Sequence, residues 1–284
     1  MTYIPGRGFA MGSGRAAGDE DELPTHYVNV SSFYMDMFEV TNAQYAEALS
    51  WAAENGHAFW TGLDIMQSRA RWIPYLRISN VECRVCPAGS VFVAEPGFEN
   101  HPVVEVSWYG AAAYCNWISL IDGLKPCYNP KSWKCDFGAD GYRLPTEAEW
   151  ERAACGTRDQ RPFPWGFELP DCDKANCWQD SVGACAGGTA PVGGYPAGCA
   201  PDGLYDMAGN VWEWCNDWYD ETYYSRSPRR DPRGPSEGTY RVLRGGSWYF
   251  HQSFIRCANR YANPPNLTSD IIGFRCVRKD DGGG

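Results

Sequence analysis

The sequence predicts an α+β fold, with helices in its first half and glycine-rich, irregular chain carrying short strands in its second. Three helical periods lie before Cys155, each opened by a capping signal, and none follows. The later apolar runs are short and never alternate with helices, so no βαβ rhythm is expected. Composition agrees: 13 tryptophans, 31 glycines and 20 prolines in 284 residues describe long connections pinned by aromatic anchors, because loops bring little packing of their own.

The elements follow in order. Tyr27 to Phe38 alternates and reads as strand. Thr41-Asn42-Ala43-Gln44 has capping-box form, with a helix expected from there to about Glu54, stopped by Gly56. The stretch 56–100 lacks a clear period and is expected as a loop insertion within one domain spanning 1–284. A second helix opens at Ser107 and carries Trp108, Ala111, Ala112, Cys115 and Ile118 on one face until Gly123. A third opens at Pro145-Thr146-Glu147-Ala148-Glu149, another capping box, with Trp150 and Ala153 facing inward. Arg143 and the glutamates of 147–151 are too many charges for an ordinary helix start unless they pair across the fold. The tryptophan-rich run 212–218 reads as core. Arg241–Arg244 and Gly273–Val277 read as short strands, and Gly245-Gly246 suits a close backbone approach or a positive φ.

Charge and apolar patterning exclude some partners. A net charge of −10 argues against nucleic acid, whose backbone needs clustered Lys and Arg. There is no 18-residue apolar run, hence no expected membrane span. The 13 cysteines show no paired C-x-x-C framework, since Cys83-x-x-Cys86 stands alone, and His26, His57, His101 and His251 are scattered. Disulfides are therefore favoured over metal, which implies an oxidising, extracytoplasmic location. Met1-Thr2-Tyr3-Ile4-Pro5-Gly6 has no signal-peptide pattern, so a mature form with Met1 added is expected. By spacing, Cys127–Cys135 and Cys177–Cys185 are plausible short loops. Cys172–Cys199 is a further candidate pair, and Cys215 is left as a buried free thiol.

Several motifs then occur in a fixed order: Ile4-Pro5-Gly6 with Phe9-Ala10-Met11-Gly12-Ser13; Phe38-Glu39-Val40-Thr41-Asn42; Val106-Ser107-Trp108; Tyr142-Arg143-Leu144-Pro145-Thr146-Glu147-Ala148-Glu149-Trp150-Glu151; Phe163-Pro164-Trp165-Gly166; Gly203-Leu204-Tyr205-Asp206-Met207-Ala208-Gly209-Asn210-Val211-Trp212-Glu213-Trp214; Arg244-Gly245-Gly246-Ser247-Trp248; and Gly273-Phe274-Arg275. Through this ordered set the chain resembles the formylglycine-generating-enzyme (sulfatase-modifying-factor) family. The resemblance implies that family's variant of the C-type-lectin fold. It also implies disulfides Cys115–Cys276 and Cys155–Cys257, and calcium held by hard oxygens. Asp206 would give the carboxylate, with Met207, Gly209 and Val211 offering carbonyls. A second family site begins at Asn176, but its later acidic ligand falls near Ala184, where a disulfide would stand in for the ion.

In catalytic members two cysteines follow the Arg-Gly-Gly-Ser segment and bind copper(I) as thiolates. Here the first position is Phe250, the second falls near Phe254 or in a short deletion, and Cys257 matches a structural cysteine. Neither phenylalanine can ligate a metal or move a proton, so no catalytic residue and no copper is expected. A triad of Ser247, His251 and Asp217 lacks a nucleophile-elbow motif.

The segment also resembles variable proteins of diversity-generating retroelements, whose varied NNY codons cannot encode Lys, Glu, Gln, Met or Trp. Between Tyr249 and Ile271 those residues are absent except Gln252. The plainer alternative is that ordinary family members are also rich in Asn, Tyr and Pro here. Either way, the expectation is a domain that binds a protein or peptide ligand through Trp248, Tyr249, Phe250, His251, Ser253, Phe254, Tyr261, Asn263, Asn266, Thr268 and Asp270. The alternative function is an oxidoreductase acting on a protein cysteine, or another enzyme of this fold.

Overall fold

The computed structural model describes residues 1–284 except 15–17, 69, 158–159, 281 and 283–284. Among the described residues three α-helices are set among several small sheets: α1 spans Asn42–Glu54, α2 Trp108–Ile121 and α3 Glu147–Cys155. Each starts where its capping residue requires. Gln44 N–H donates to Thr41 Oγ1 at 3.3 Å while Thr41 N–H donates to Gln44 Oε1 at 2.9 Å, and Thr146 with Glu149 repeats this at α3. Gly110 N–H donates to Ser107 Oγ at the start of α2. Such reciprocal bonds satisfy donors that the first helical turn leaves open.

One four-stranded antiparallel sheet has the order Thr2–Ile4, Phe33–Met35, Val277–Lys279, Tyr142–Arg143. It joins the first strand of the chain to the last. The run from Tyr27 to Phe38 is thus two strands, His26–Val30 and Phe33–Met35, and the first of these pairs with Arg7–Met11 instead. A second four-stranded sheet has the order Tyr261–Asn263, Arg241–Arg244, Trp212–Trp218, Ile272–Gly273, with only the last pairing parallel.

The stretch 56–100 is not the irregular loop its sequence suggested. It holds a three-stranded sheet (Phe59–Trp60, Ile65–Ser68, Arg71–Leu76) and a hairpin (Val85–Ala88, Val91–Ala94). These strands are too short, and the pairing of Ile65–Ser68 with Arg71–Leu76 too irregular in register, for a period of two to show. They dock on α1 and α2: a Cβ at Gly110 would run into the Tyr75 carbonyl, so the helix has glycine there.

The core has two main parts. One gathers α1, α2 and the tryptophans Trp108, Trp212 and Trp214; the other gathers α3 with Trp150. The tryptophan run is core at Trp212 and Trp214, as its composition suggested. Trp108 Nε1 donates to Cys215 O at 2.9 Å and Trp214 Nε1 to Val106 O at 3.1 Å, so large rings are buried without stranding these N–H groups.

The disulfide framework differs from expectation. Among the described residues one disulfide is formed, Cys172–Cys185, and the other 11 cysteines are free thiols. Cys177 turns into a small core with Phe163, Ala175, Ala208 and Ile255, which leaves Cys185 on the outside to meet Cys172 in place of Cys177 or Cys199. Cys115 and Cys276 face one another with sulfurs 3.5 Å apart, unbonded. Cys155 and Cys257 are likewise buried free thiols lining one cavity, and Cys127 and Cys135 are free. Cys215 is free and fully buried.

Candidate functional site

The site is built on the turn after strand Arg241–Arg244. Gly245 and Gly246 have φ of +97° and +77°, as their sequence suggested. A Cβ on Gly246 would sit 2.6 Å from Ile255 Cγ2, so the chain can double back on itself only with glycine there. Beneath the turn, Arg244 is fully buried. It pairs with Glu151 of α3 and donates to the carbonyls of Cys257, Ala258 and Asn259 at 2.7, 2.9 and 2.8 Å. Arg260 pairs with Glu147 at 2.7 Å, Arg143 with Glu149 at 2.6 Å and Arg275 with Glu213 at 2.7 Å. Glu147 and Glu151 do pair across the fold, as the charge density required, whereas Arg143 pairs locally with Glu149 six residues on, and the multiple hydrogen bonds compensate the cost of burying them.

Above this base lies an aromatic surface. Phe250 is half-buried among Trp212, Phe254 and Tyr261, with ring centroids 5.4, 5.3 and 5.8 Å away. Tyr249 is 62% exposed, Phe254 39% and Tyr261 38%. Trp178 joins the edge through its N–H, which donates to Phe250 O at 2.9 Å, and its own ring is exposed. The sequence did not single out Trp178; the hairpin Trp178–Gln179, Gly183–Ala184 carries it to this surface. Ser253 and Asn266 are also exposed, while Trp248, His251, Asn263 and Asp270 are intermediate. Thr268 is a correction: it is buried, facing inward on the turn, and has no part in an exposed face.

The Ser247–His251–Asp217 arrangement is not assembled. Ser247 is fully buried, His251 contacts Ser253 Oγ at 2.9 Å and Asp180 at 3.2 Å, and Asp217 accepts from the Glu147 N–H at 3.0 Å. No thiol lies between Ser247 and Cys257.

The residues expected to hold calcium lie directly under this turn. Asn176 and the loop Asp206–Val211 are brought together: Asn210 N–H donates to Asn176 O at 2.8 Å, and Asn176 Nδ2 to Asn210 Oδ1 at 3.1 Å. The loop in turn supports the site, since Gly209 N–H donates to Gly245 O and Trp248 N–H to Asn210 O. Asp206 and Met207 are buried, and Asp206 accepts from Gly193 N–H at 2.6 Å. Sequence reasoning missed Glu39 as part of this site. Asn210 Nδ2 donates to one of its oxygens at 2.8 Å, and the other is buried with no partner. Burial, then the charges of Asp206 and Glu213, raises the Glu39 carboxyl well above the usual range. Burial pushes Asp206 up to about 6. Among the described residues no three His, Cys, Asp or Glu side chains cluster closely enough to bind a metal by themselves. A hard cation here would draw on carbonyls plus Asp206, and the orphaned Glu39 oxygen is consistent with such an ion.

The model of the sulfatase-modifying factor enzyme 1-like domain matches residues 1–280. The chain belongs to that family. One relative is the serine/threonine-protein kinase pkn1 of Chlamydia caviae, 37% identical over 280 residues; the match covers 98% of this chain but 38% of that protein, so the chain spans well under two thirds of that relative's length. The formylglycine-generating enzyme of Streptomyces coelicolor is 36% identical over 311 residues, covering 99% of this chain and 90% of that one. Among solved structures, Treponema denticola variable protein 1 superposes with a TM-score of 0.70 at 26% identity, covering 99% of this chain and 95% of that one. The family fold of few helices and small sheets is therefore the one described above. Among the described residues no helix is long and apolar enough to cross a membrane.

Proposed function

We propose that this chain is a non-catalytic recognition domain of the sulfatase-modifying-factor family, binding a protein or peptide through the aromatic surface around Phe250. One observation carries the reading. Where catalytic relatives resemble this chain but place a copper-binding thiol, Phe250 fills the position and packs with Trp212, Phe254 and Tyr261. Rigid rings offer contact area at low entropic cost, and short polar neighbours such as Ser253 and Asn266 adapt to a ligand. The likeness to a Treponema variable protein supports a surface whose side chains vary while the scaffold stays fixed, as in a diversity-generating-retroelement variable protein. An adjacent reverse transcriptase and a near-copy of the 3′ coding segment in the genome would test that part. Calcium bound by Asp206 and carbonyls of Met207, Gly209 and Val211, beside Asn176, would brace the loop beneath the turn, and no copper is expected. The disulfide Cys172–Cys185 is compatible with an extracytoplasmic location.

The competing reading, oxidation of a protein cysteine, draws on the 36% identity to the Streptomyces coelicolor enzyme. Oxygen uptake with a cysteine-containing peptide and copper separates the two: uptake above buffer would overturn the non-catalytic reading. A peptide-library selection supplies the positive arm. Selected peptides should bind the unaltered chain and lose at least tenfold in affinity for Tyr249→Ser/Phe254→Ser.

A further inference from the structure

Away from the aromatic surface, two depressions join along the first strands of the chain. One, of about 350 Å³, is lined by Arg7, Arg152, Arg161 and Asp202. The other, of about 680 Å³, is lined by Tyr3, Arg7 and Arg230, and the two share Pro5 and Arg7. Neither includes a residue of 248–271. Four arginines and one carboxylate thus line a groove on a chain whose net charge is −10.

The nearby acids are already engaged. Asp202 pairs with Arg152 at 2.7 Å, and Arg152 also donates to Pro5 O at 3.2 Å. Asp231, next to Arg230, accepts from the Ser31 N–H and hydroxyl at 2.6 and 2.8 Å. Arg230 itself is held in place by its backbone. Asn29 N–H donates to Arg229 O at 2.7 Å, and Asp231 N–H to Asn29 O at 2.9 Å. Arg7 and Arg230 are exposed, and among the described residues neither has an ion-pair or hydrogen-bond partner for its guanidinium. Two unpaired guanidiniums on fixed backbone, beside an outer strand (Thr2–Ile4) of a sheet, form a site prepared for carboxylates.

We infer that this groove binds an acidic peptide segment, two of whose carboxylates pair with Arg7 and Arg230. A long polyanion fits less well, because beyond the groove it would meet the repulsion of an acidic protein. An extended peptide needs few charges and can run along the outer strand. The inference is independent of the aromatic surface.

Fluorescence anisotropy with a labelled hexaglutamate peptide, against hexaglutamine, tests it. Hexaglutamate should bind the unaltered chain and weaken with salt. Its affinity should fall at least tenfold in Arg7→Glu/Arg230→Glu and by an intermediate factor in Arg7→Gln/Arg230→Gln. Because both side chains are exposed, each variant should keep the parent's melting temperature. Tyr249→Ser/Phe254→Ser should leave this binding unchanged. Equal binding of hexaglutamine, unchanged affinity after charge reversal, or binding of a sulfated oligosaccharide without binding of hexaglutamate would each overturn the inference.

Discussion

Residues 255–260 and the stretches flanking them, 249–254 and 261–270, are one continuous chain held by opposite means. In the middle, Ile255, Cys257, Asn259 and Arg260 are buried. Arg244 binds three consecutive carbonyls there, Arg256 reaches Glu22 at 2.7 Å, and Arg260 reaches Glu147. On either side Tyr249, Ser253, Phe254, Tyr261 and Asn266 are exposed. The shape of the surface is therefore fixed from below, by buried charges that each hold several partners, while the side chains on top are free to differ. A ligand-binding segment of this kind can change its chemistry without changing its course.

The largest test of that contrast is Arg244→Met. It leaves Glu151 without its guanidinium and three carbonyls without a donor, and breaking a buried pair in this way costs about 3–5 kcal/mol. Urea denaturation should show that loss. A cost as small as that of an exposed-flank substitution would break the contrast.

Calcium should act from the same side. Asp206 is pushed up to about 6, chiefly by burial, so the folded state holds a proton that the unfolded state releases at lower pH. Its contribution to stability is therefore present at low pH and lost as pH rises through about 6. A cation competes with that proton, so the stabilisation by calcium should be larger at pH 7 than at pH 5. At a calcium concentration 100 times its Kd the gain is about 2.7 kcal/mol, read as a rise in melting temperature. Asp206→Asn should remove both the calcium increment and this part of the pH slope.

The turn is the next largest. Gly246→Ala puts a Cβ 2.6 Å from Ile255 Cγ2 at a φ of +77°, and strain of that kind costs about 1–3 kcal/mol. Chemical denaturation would measure it, and near-neutrality would mean that the turn relaxes without moving Ile255.

Much of this base could be read in advance, and the reasons are local. Thr41 with Gln44 and Thr146 with Glu149 announce helices because capping is satisfied within four residues. The Gly245-Gly246 pair announces its turn because glycine takes positive φ without the steric cost a Cβ brings. What could not be read depends on distant contacts. The strands of 56–100 exist because α1 and α2 give them a surface to dock on, as at Gly110 and Tyr75. Cys172 is bonded to Cys185 while Cys177 lies in a core of its own. Glu39 joins the loop Asp206–Val211 through Asn210, far away in sequence, and Thr268 looked like a surface residue but is buried.

The smallest effect bears on the recognition surface itself. Tyr249 is 62% exposed, so Tyr249→Ser should change stability by no more than about 0.5 kcal/mol. Phe250, one residue on, is half-buried against Trp212 and Tyr261, and Phe250→Ser should cost about 2 kcal/mol for the lost aromatic packing. Adjacent residues with such different costs would locate the boundary between scaffold and surface at the bond joining them. Equal costs would instead make Tyr249 part of the scaffold and shift the recognition surface toward Phe254 and Tyr261. Urea denaturation of the two single variants, with library-selected peptides bound to each, distinguishes these outcomes: loss of peptide binding in Tyr249→Ser at unchanged stability is what a side chain that only meets the ligand must show.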